Sequence, residues 1–269
     1  MKQRLRTVLI TGAARGIGYH LAWFFLDTGH QVIMVDIDAT GLFQAVSRLE
    51  KHFKKERIKV ICADVTRPCN IQTIKDVLEY ENYEVDILIN NAGIGQHSTL
   101  IDTDSERLSE LMNVNFFSAE ALIKAVVPQM IKRGSGQIVN VCSGQVFFNI
   151  PTWAAYTCTK AALSAYSEAL YHELKPKGIA VTTVYPFMVN TGFYNDVQGE
   201  TWGGKLSMIL LPFYSMDPEK VAKIIFQATL KEKRREMVSL LNYAGKFINA
   251  VGPLSNIVGR ISNFLLAKK

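Results

Sequence analysis

The chain of 269 residues has few cysteines and no long hydrophobic run, and each scarcity excludes a class of protein. Its four cysteines show no C-x-x-C spacing, which argues against a disulfide scaffold and favours reduced, mostly buried thiols in a cytoplasmic protein. No run of eighteen apolar residues occurs, and no signal pattern precedes the first apolar run. We therefore expect neither a membrane-spanning helix nor a secreted protein.

Metal ligands and domain boundaries are also missing from the sequence. The five histidines have no metal-ligand spacing, so no metal site is predicted. There is no internal repeat, low-complexity tract or inter-domain linker. With 48% hydrophobic residues the chain is long enough to bury one sizeable core, and a single α/β domain over residues 1–269 is predicted.

Six short apolar runs alternate with helical patterns along the chain and predict the fold. The runs are TVLI at 7–10, QVIMVD at 31–36, IKVICAD at 58–64, VDILIN at 85–90, GQIVNVCS at 136–143 and GIAVTTVYP at 178–186. Continuous apolar runs of this length are typical of strands buried on both faces. The expected fold is a Rossmann-like doubly wound parallel sheet with helices on both faces.

A glycine-rich turn follows the first of these runs. The segment T-G-A-A-R-G-I-G at 11–18 opens a helical pattern, and the second strand then ends at Asp36. Glycines at Gly12, Gly16 and Gly18 permit a tight turn and close approach of the backbone to a pyrophosphate, which the helix N-terminus can bind. An ordinary loop is the alternative, but the order of strand, turn, helix, strand and acid predicts dinucleotide binding.

A tyrosine and a lysine four residues apart carry the clearest chemical signal. Tyr156 and Lys160 stand in AAYTCTKAAL, thirteen residues after Ser143. On a helix the two side chains share a face, and the ammonium is expected to lower the phenol pKa so that the pair can transfer protons near neutral pH. A lone pair of this kind is more often a core tyrosine beside a solvated lysine. Its meaning depends on the surrounding motifs.

From Val8 to about Leu240 the order and spacing of these motifs resemble a short-chain dehydrogenase/reductase of the common type. Further matches are Asp64-Val65, the N-N-A-G segment at 90–93, Asn115 in MNVNFF, and the segment 186–191, where Phe187 replaces the usual glycine. The resemblance implies that residues 5–190 form the cofactor-binding and catalytic core. It implies cofactor binding by Gly12, Arg15, Gly16, Ile17, Gly18, Asp36, Asp64, Val65, Asn91, Ala92, Gly93, Tyr156, Lys160, Pro186, Val189 and Thr191.

The resemblance also implies the roles of four catalytic residues. Tyr156 would be the general base for alcohol oxidation or the general acid for carbonyl reduction, and Lys160 would lower its pKa and hold the nicotinamide ribose. Ser143 would hydrogen-bond the substrate oxygen, and Asn115 would hold a water that relays protons past Lys160. Hydride would pass between a substrate carbon and nicotinamide.

The charge at the end of the second strand bears on the choice of cofactor. A carboxylate at Asp36 can accept both ribose hydroxyls of NAD, and it would repel the 2′-phosphate of NADP. Ile37 offers no compensating cation, although Arg15 in the glycine turn could meet a phosphate. The sequence therefore favours NAD over NADP.

Two segments predicted to border the substrate are rich in apolar side chains. They are the loop GQVFFNIPTW after Ser143 and a predicted lid over residues 192–216. Their large apolar residues are Phe147, Phe148, Trp153, Phe193, Tyr194, Trp202, Met208, Ile209, Leu210, Leu211 and Phe213. No basic cluster for a phosphate occurs there, so a lipophilic alcohol or ketone, fatty, steroid-like or retinoid-like, is predicted. The alternative is that half of these residues are core or oligomer contacts.

The C-terminal segment carries the excess positive charge. Residues 231–269 have a net charge of +6, which equals that of the whole chain. Apolar residues recur at helical spacing before and after Pro253, which predicts basic amphipathic helices over 237–269. Such helices could cover the sheet edge or the pocket, or they could attach peripherally to an anionic membrane. Nucleic-acid binding is not expected.

Other classes fit the sequence less well. A catalytically silent NAD-binding sensor or scaffold protein would not need Asn115, Ser143, Tyr156 and Lys160 together. Sugar-nucleotide epimerases and dehydratases of similar fold usually have a larger C-terminal substrate domain, and an enoyl-type reductase spaces its tyrosine and lysine more widely. The resemblance further implies a homodimer or homotetramer assembled through the helices that carry Asn115 and Tyr156.

Overall fold

Seven parallel strands form the sheet at the centre of the computed structural model, which describes residues 5–148, 150–190, 215–251, 257, 260 and 261. The strands are β1 (Thr7–Thr11), β2 (Gln31–Asp36), β3 (Ile58–Cys62), β4 (Val85–Asn90), β5 (Gly136–Val141), β6 (Ile179–Tyr185) and β7 (Arg235–Met237). Their spatial order is β3-β2-β1-β4-β5-β6-β7, and every pairing is parallel. The predicted Rossmann-like sheet is therefore confirmed.

Helices connect the strands and cover both faces of the sheet. They are α1 (Gly16–Asp27), α2 (Ala39–Leu49), α3 (Pro68–Tyr80), α4 (Ser105–Met112), α5 (Ser118–Arg133), α6 (Ala154–Leu174), α7 (Pro218–Leu230) and α8 (Leu240–Ala250). Several begin at an aspartate whose carboxylate accepts backbone N–H groups, as Asp38, Asp104 and Asp217 do. In the part of the chain that the structure describes, no helix is long and apolar enough to cross a bilayer.

Alternate residues of β1 face the two halves of the core. Val8 and Ile10 pack with α1, α2 and α7, whereas Leu9 packs on the other side with α3, α5 and α6. Because both faces of the strand are covered, its apolar run is continuous rather than alternating. This arrangement accounts for the strand pattern read from the sequence.

The topology opens a crevice above the centre of the sheet. Strand β1 pairs with β2 on one side and with β4 on the other. After β1 the chain crosses one face of the sheet, and after β4 it crosses the opposite face. Ligands of open α/β sheets bind outside the strands at such a switch point. The loops after β1, β4 and β5 all end there.

The C-terminal helix α8 lies within the region 237–269 where basic amphipathic helices were predicted, but it is turned in an unexpected way. It packs on the short helical turn Gly144–Phe147, as a covering helix would. Its buried residues, however, are Asn242 and Gly245, whereas Leu240 and Phe247 are exposed. Most of the second predicted helix lies outside the described residues.

Candidate active site

The glycine turn after β1 has the geometry that close approach of a ligand requires. Gly12 and Gly16 have φ of +64° and +57°, in the left-handed region that favours glycine. A Cβ added at Gly18 would overlap the carbonyl oxygen of Gly12, so the first turn of α1 packs directly on the loop. Gly16 and Ile17 line the cavity, and the helix N-terminus therefore points toward it.

Hydrogen bonds tie this turn to the loop after β4. The hydroxyl of Thr11 accepts from the backbone N–H groups of Asn91 and Ala92, both at 3.0 Å. The amide of Asn91 donates to the carbonyl oxygens of Thr11 and Gly12 at 3.0 and 3.1 Å. The two loops thus form one rigid wall.

Two aspartates line the end of the cavity away from Tyr156, each held by neighbouring donors. The carboxylate of Asp36 accepts from the backbone N–H groups of Ala14 at 2.9 Å and Asp38 at 3.1 Å. Burial raises the pKa of Asp64, but hydrogen bonds from Thr66 and Arg67 outweigh it and hold that pKa below its usual value. Both carboxylates are therefore fixed as acceptors for a bound ligand.

A single cavity of about 650 Å³ connects these acids to the Tyr–Lys pair. The predicted residues that line it are Gly12, Arg15, Gly16, Ile17, Asp36, Asp64, Val65, Asn91, Ala92, Gly93, Ser143, Tyr156, Lys160, Pro186 and Val189. Gly18 and Asn115 lie behind the wall, and Thr191 falls outside the described residues. Helix α4 contributes Glu106, Ser109 and Glu110, which sequence patterns did not reveal.

The catalytic candidates meet at the other end of this cavity. Tyr156 and Lys160 lie one turn apart near the start of α6, and both are buried. The hydroxyl of Ser143 accepts from the backbone N–H of Gln145 at 3.2 Å and forms a side-chain hydrogen bond with Tyr156. The ammonium of Lys160 donates to the carbonyl oxygen of Val141 at 3.0 Å.

The pKa values of this pair differ from the prediction. Burial raises the pKa of Tyr156, and its hydrogen bond with Ser143 offsets only part of that effect. Burial also lowers the pKa of Lys160 to about 8. The protein groups alone therefore do not produce the lowered phenol pKa that the spacing of the pair predicted. A positive charge on a bound cofactor would act in that direction.

Asn115 lies behind Gly93 in a π-helical segment, Asn113–Phe117, between α4 and α5. Its amide nitrogen donates to the carbonyl oxygen of Ile94 at 2.9 Å and to the hydroxyl of Thr159 at 3.0 Å, and its oxygen accepts from the Ile94 N–H. Both amide hydrogens are thus used within the protein. A relay water at this side chain could use only the remaining lone pair of the oxygen.

Phe187, which stands at the usual glycine position, fits without a positive φ. Its ring packs on Phe148 with the ring centres 5.1 Å apart. The left-handed conformation falls on the next residue, Met188, at φ +49°. Phe187 is therefore compatible with the turn, and the strained backbone of this segment lies at Met188.

The described aromatic residues of the predicted apolar substrate wall have two different roles. Trp153 is buried and packs edge to face on Tyr156, with the ring centres 5.9 Å apart, and His97 packs on its other side at 5.4 Å. Phe147 and Phe148 pack on other aromatic rings, at Tyr185 and Phe187. Trp153 is thus next to the catalytic pair, whereas the two phenylalanines are packing residues. The predicted lid residues 192–214 lie outside the described residues.

Asn242 supports the site from α8, a role that sequence analysis missed. Its amide donates to the carbonyl oxygen of Tyr185 at 2.6 Å, and it contacts the backbone of Gly144. The N–H of Gly144 in turn donates to the carbonyl oxygen of Pro186 at 2.6 Å. The helix therefore joins the segment after Ser143 to the segment after β6. The only sequence signal was a polar residue within an apolar helix.

Replacing Asn242 with alanine is expected to lower the free energy of unfolding by about 1–3 kcal/mol, because the buried carbonyl of Tyr185 loses the shorter of its two hydrogen bonds and keeps only the one from the Val238 N–H at 3.4 Å. Urea unfolding would measure the change. Lys246→Ala, on an exposed side of the same helix, is the matched control and should change the stability by less than about 0.5 kcal/mol. Equal stability of the Asn242→Ala variant and the wild type would contradict the assigned contact.

Fold and site together define the class of protein. A doubly wound parallel sheet whose glycine turn, strand-end acid and buried Tyr–Lys pair share one cavity is the architecture of a nicotinamide-dependent oxidoreductase. Among the described residues, no group of His, Cys, Asp or Glu side chains could hold a metal ion.

Comparison with known proteins gives the family. The family model for short chain dehydrogenases matches residues 6–201. The chain therefore belongs to the short-chain dehydrogenase/reductase family, and the resemblance seen in the sequence is confirmed. Nicotinamide dependence follows from the family, whereas the preference between NAD and NADP does not.

Individual relatives match along most of the chain. A dehydrogenase/reductase SDR family protein 7-like of Drosophila melanogaster is 32% identical over 242 residues, covering 87% of this chain and 72% of the relative. Epidermal retinol dehydrogenase 2 of Homo sapiens is 30% identical over 250 residues, covering 92% of this chain and 78% of the relative. A short-chain dehydrogenase from Sphingobium yanoikuyae, solved in complex with NADPH, is 27% identical with a TM-score of 0.79, covering 94% and 95% of the two chains.

Proposed function

We propose that this protein is an NAD-linked dehydrogenase or reductase for a lipophilic alcohol or ketone, with Tyr156 as its general acid and base. The observation that carries the proposal is the shared cavity. Asp36 and the glycine turn line one end, and Ser143, Tyr156 and Lys160 line the other. A dinucleotide held at the first end could place its reactive ring beside the Tyr–Lys pair.

Each catalytic candidate has a distinct task in this proposal. The protonated phenol of Tyr156 donates to the substrate oxygen during reduction, and the phenolate takes that proton during oxidation. Ser143, held by the Gln145 N–H, offers a second hydrogen bond to the same oxygen. Lys160 would hold the ribose and adds positive charge beside the phenol. The bound nicotinamide supplies or accepts the hydride.

Cofactor preference is proposed from the position of Asp36. Its side chain lines the cavity at the end of β2, and the exposed side chain that follows it is Ile37, which carries no charge. Arg15 also lines the cavity, and among the described lining residues it is the arginine that could favour a phosphate. The NADPH bound to the Sphingobium yanoikuyae relative belongs to that protein, and the preference here is open to direct test.

Replacing Asp36 with asparagine is expected to reduce the ratio of kcat/KM for NAD to that for NADP by at least about tenfold, because the repulsion of a 2′-phosphate is removed. The amide keeps an acceptor for the Ala14 N–H. Asp38→Asn is the control. It also removes one negative charge, but Asp38 lies two residues after Asp36 and does not line the cavity. A ratio that stays the same in Asp36→Asn would rule out this role.

The lipophilic substrate is proposed from the surroundings of Tyr156. The ring of Trp153 packs against it, and the described lining next to the pair includes Val141, Pro186 and Met188. The human relative is named for retinol, a lipophilic alcohol. Reduced nicotinamide formation across secondary alcohols of increasing chain length and ring size would test the proposal. Activity that fails to rise with apolar size would contradict it.

A further inference from the structure

The outward side of α8 is apolar, which is the reverse of an ordinary surface helix. Asn242 and Gly245 face the protein, and both are buried. Leu240, Tyr243 and Phe247, on the opposite side, are 85%, 58% and 66% exposed. A helix that packs on a protein normally turns its apolar stripe inward, because burial of apolar surface stabilises the contact.

The inward side of α8 is fixed, so the exposed stripe is a stable feature of the fold. Asn242 donates to the Tyr185 carbonyl at 2.6 Å. A Cβ added at Gly245 would overlap the ring of Phe148, so the glycine lets the helix backbone lie directly on that ring. Rotating the helix to bury its apolar stripe would break the hydrogen bond and place large side chains against that ring. Within the part of the chain that the structure describes, the stripe is therefore held on the surface.

This stripe differs from the other exposed apolar residues of the protein. Phe43 and Tyr80 are 74% and 88% exposed, but each lies singly on its own helix, which is normal for a protein surface. Leu100 and Ile101, 52% and 97% exposed, are one adjacent pair in the loop before α4. On α8 the exposed residues recur at helical spacing, and the outward side carries no charge between Leu240 and Phe247. A continuous apolar side of this kind marks an interaction surface.

Exposed apolar and basic residues continue beyond the helix. Ile257 and Ile261 are helical, four residues apart, and each 54% exposed. Lys231, Lys246 and Arg260 are exposed and form no ion pair with any described residue. They belong to residues 231–269, whose net charge is +6. Exposed apolar side chains in a segment rich in basic residues are typical of an interfacial membrane helix.

We propose that the outward side of α8 binds the surface of an anionic lipid membrane. Leu240, Tyr243 and Phe247 would enter the boundary between headgroups and acyl chains, and Lys246 at the flank of the stripe would reach the headgroups. A second copy of this chain fits less well, because face-to-face packing would bring two strongly positive segments together. The dimer or tetramer predicted from the sequence would instead use the helices that carry Asn115 and Tyr156. The proposal does not depend on the proposed substrate.

The test is flotation of the full chain with vesicles of phosphatidylcholine, with and without phosphatidylglycerol. The wild type is expected to float with the anionic vesicles, and added salt should weaken that binding. Leu240→Ser combined with Phe247→Ser should reduce the partition coefficient by at least about tenfold. Phe43→Ser combined with Ile101→Ser removes equally exposed apolar groups from other elements and should change it by less than about twofold.

Each other outcome would overturn the proposal. A wild type that stays with the unbound fraction would exclude a lipid surface as the partner. Equal flotation of the Leu240/Phe247 variant and the wild type would place membrane binding elsewhere on the chain. Light scattering without vesicles gives the molar mass of the wild type and of the Leu240/Phe247 variant. A mass that falls in the Leu240/Phe247 variant alone, without vesicle binding by the wild type, would assign the stripe to a second copy. All four substituted residues are exposed, so circular dichroism should show unchanged folding.

Discussion

Replacing Tyr156 with phenylalanine is expected to lower kcat by roughly 10²–10⁴-fold while leaving nicotinamide binding nearly unchanged. The substitution removes only the hydroxyl that exchanges a proton with the substrate. The ring that remains can keep its edge-to-face packing on Trp153, at 5.9 Å between ring centres. The glycine turn and Asp36 are at the other end of the cavity and should not be disturbed.

Tyr166→Phe provides the matched control for this experiment. Tyr166 lies on the same helix, but its ring packs on Phe116 and does not line the cavity. Its variant should keep full turnover. Cofactor binding, measured by quenching of tryptophan fluorescence, should be the same in all three proteins. A Tyr156→Phe variant with full activity would refute the acid–base assignment. A wild type that binds NAD but turns over no alcohol or ketone would favour the silent sensor or scaffold protein.

The parts of the fold that the sequence predicted are those set by local patterns. Strands β1, β2, β4, β5 and β6 are largely apolar because helices cover both faces of the sheet, whereas the edge strand β3 is only partly buried. The glycine turn was predictable because Gly12 and Gly16 need positive φ and Gly18 needs room for a carbonyl. Tyr156 and Lys160 were predicted to share a helix face because residues four apart lie about one helical turn from each other.

Features that depend on contacts distant in the sequence could not be predicted. Strand β7 is only three residues long, and two of the three are charged, so no apolar run marks it in the sequence. Its pairing with β6 follows from tertiary packing alone. The lining residues Glu106 and Glu110 come from a helix whose position depends on the whole sheet. Periodicity located the apolar stripe of α8, but not the side that faces the protein. That side depends on the contact between Asn242 and Tyr185, which are 57 residues apart.

The pKa direction at Tyr156 was predicted wrongly for a related reason. Spacing shows that a cation is near, but it does not show how deeply the pair is buried. In the structure burial dominates, raising the pKa of Tyr156 and lowering that of Lys160 to about 8. The buried ammonium is therefore a cost to folding, and this has a measurable consequence.

Replacing Lys160 with methionine is expected to abolish most activity and at the same time to remove a destabilising charge. Lowering the lysine pKa from 10.5 to about 8 corresponds to about 3 kcal/mol against the folded state below pH 8. Between pH 8 and pH 10.5 the unfolded chain binds the proton and the folded protein does not, so the wild type gains stability as the pH rises. The methionine variant lacks this gain, because it has no proton to lose.

The pH dependence isolates this effect from the other consequences of the substitution. Loss of the hydrogen bond to the Val141 carbonyl costs about 1–3 kcal/mol, but this cost is the same at every pH. The difference in unfolding free energy between variant and wild type should therefore shift by about 3 kcal/mol in favour of the wild type from pH 7 to pH 10.5. Urea unfolding over that range measures it, with Lys223→Met on the exposed side of α7 as a control whose difference stays flat. A flat difference for Lys160→Met as well would mean that the ammonium is solvated, and the acid–base pair would then not be buried as the structure has it.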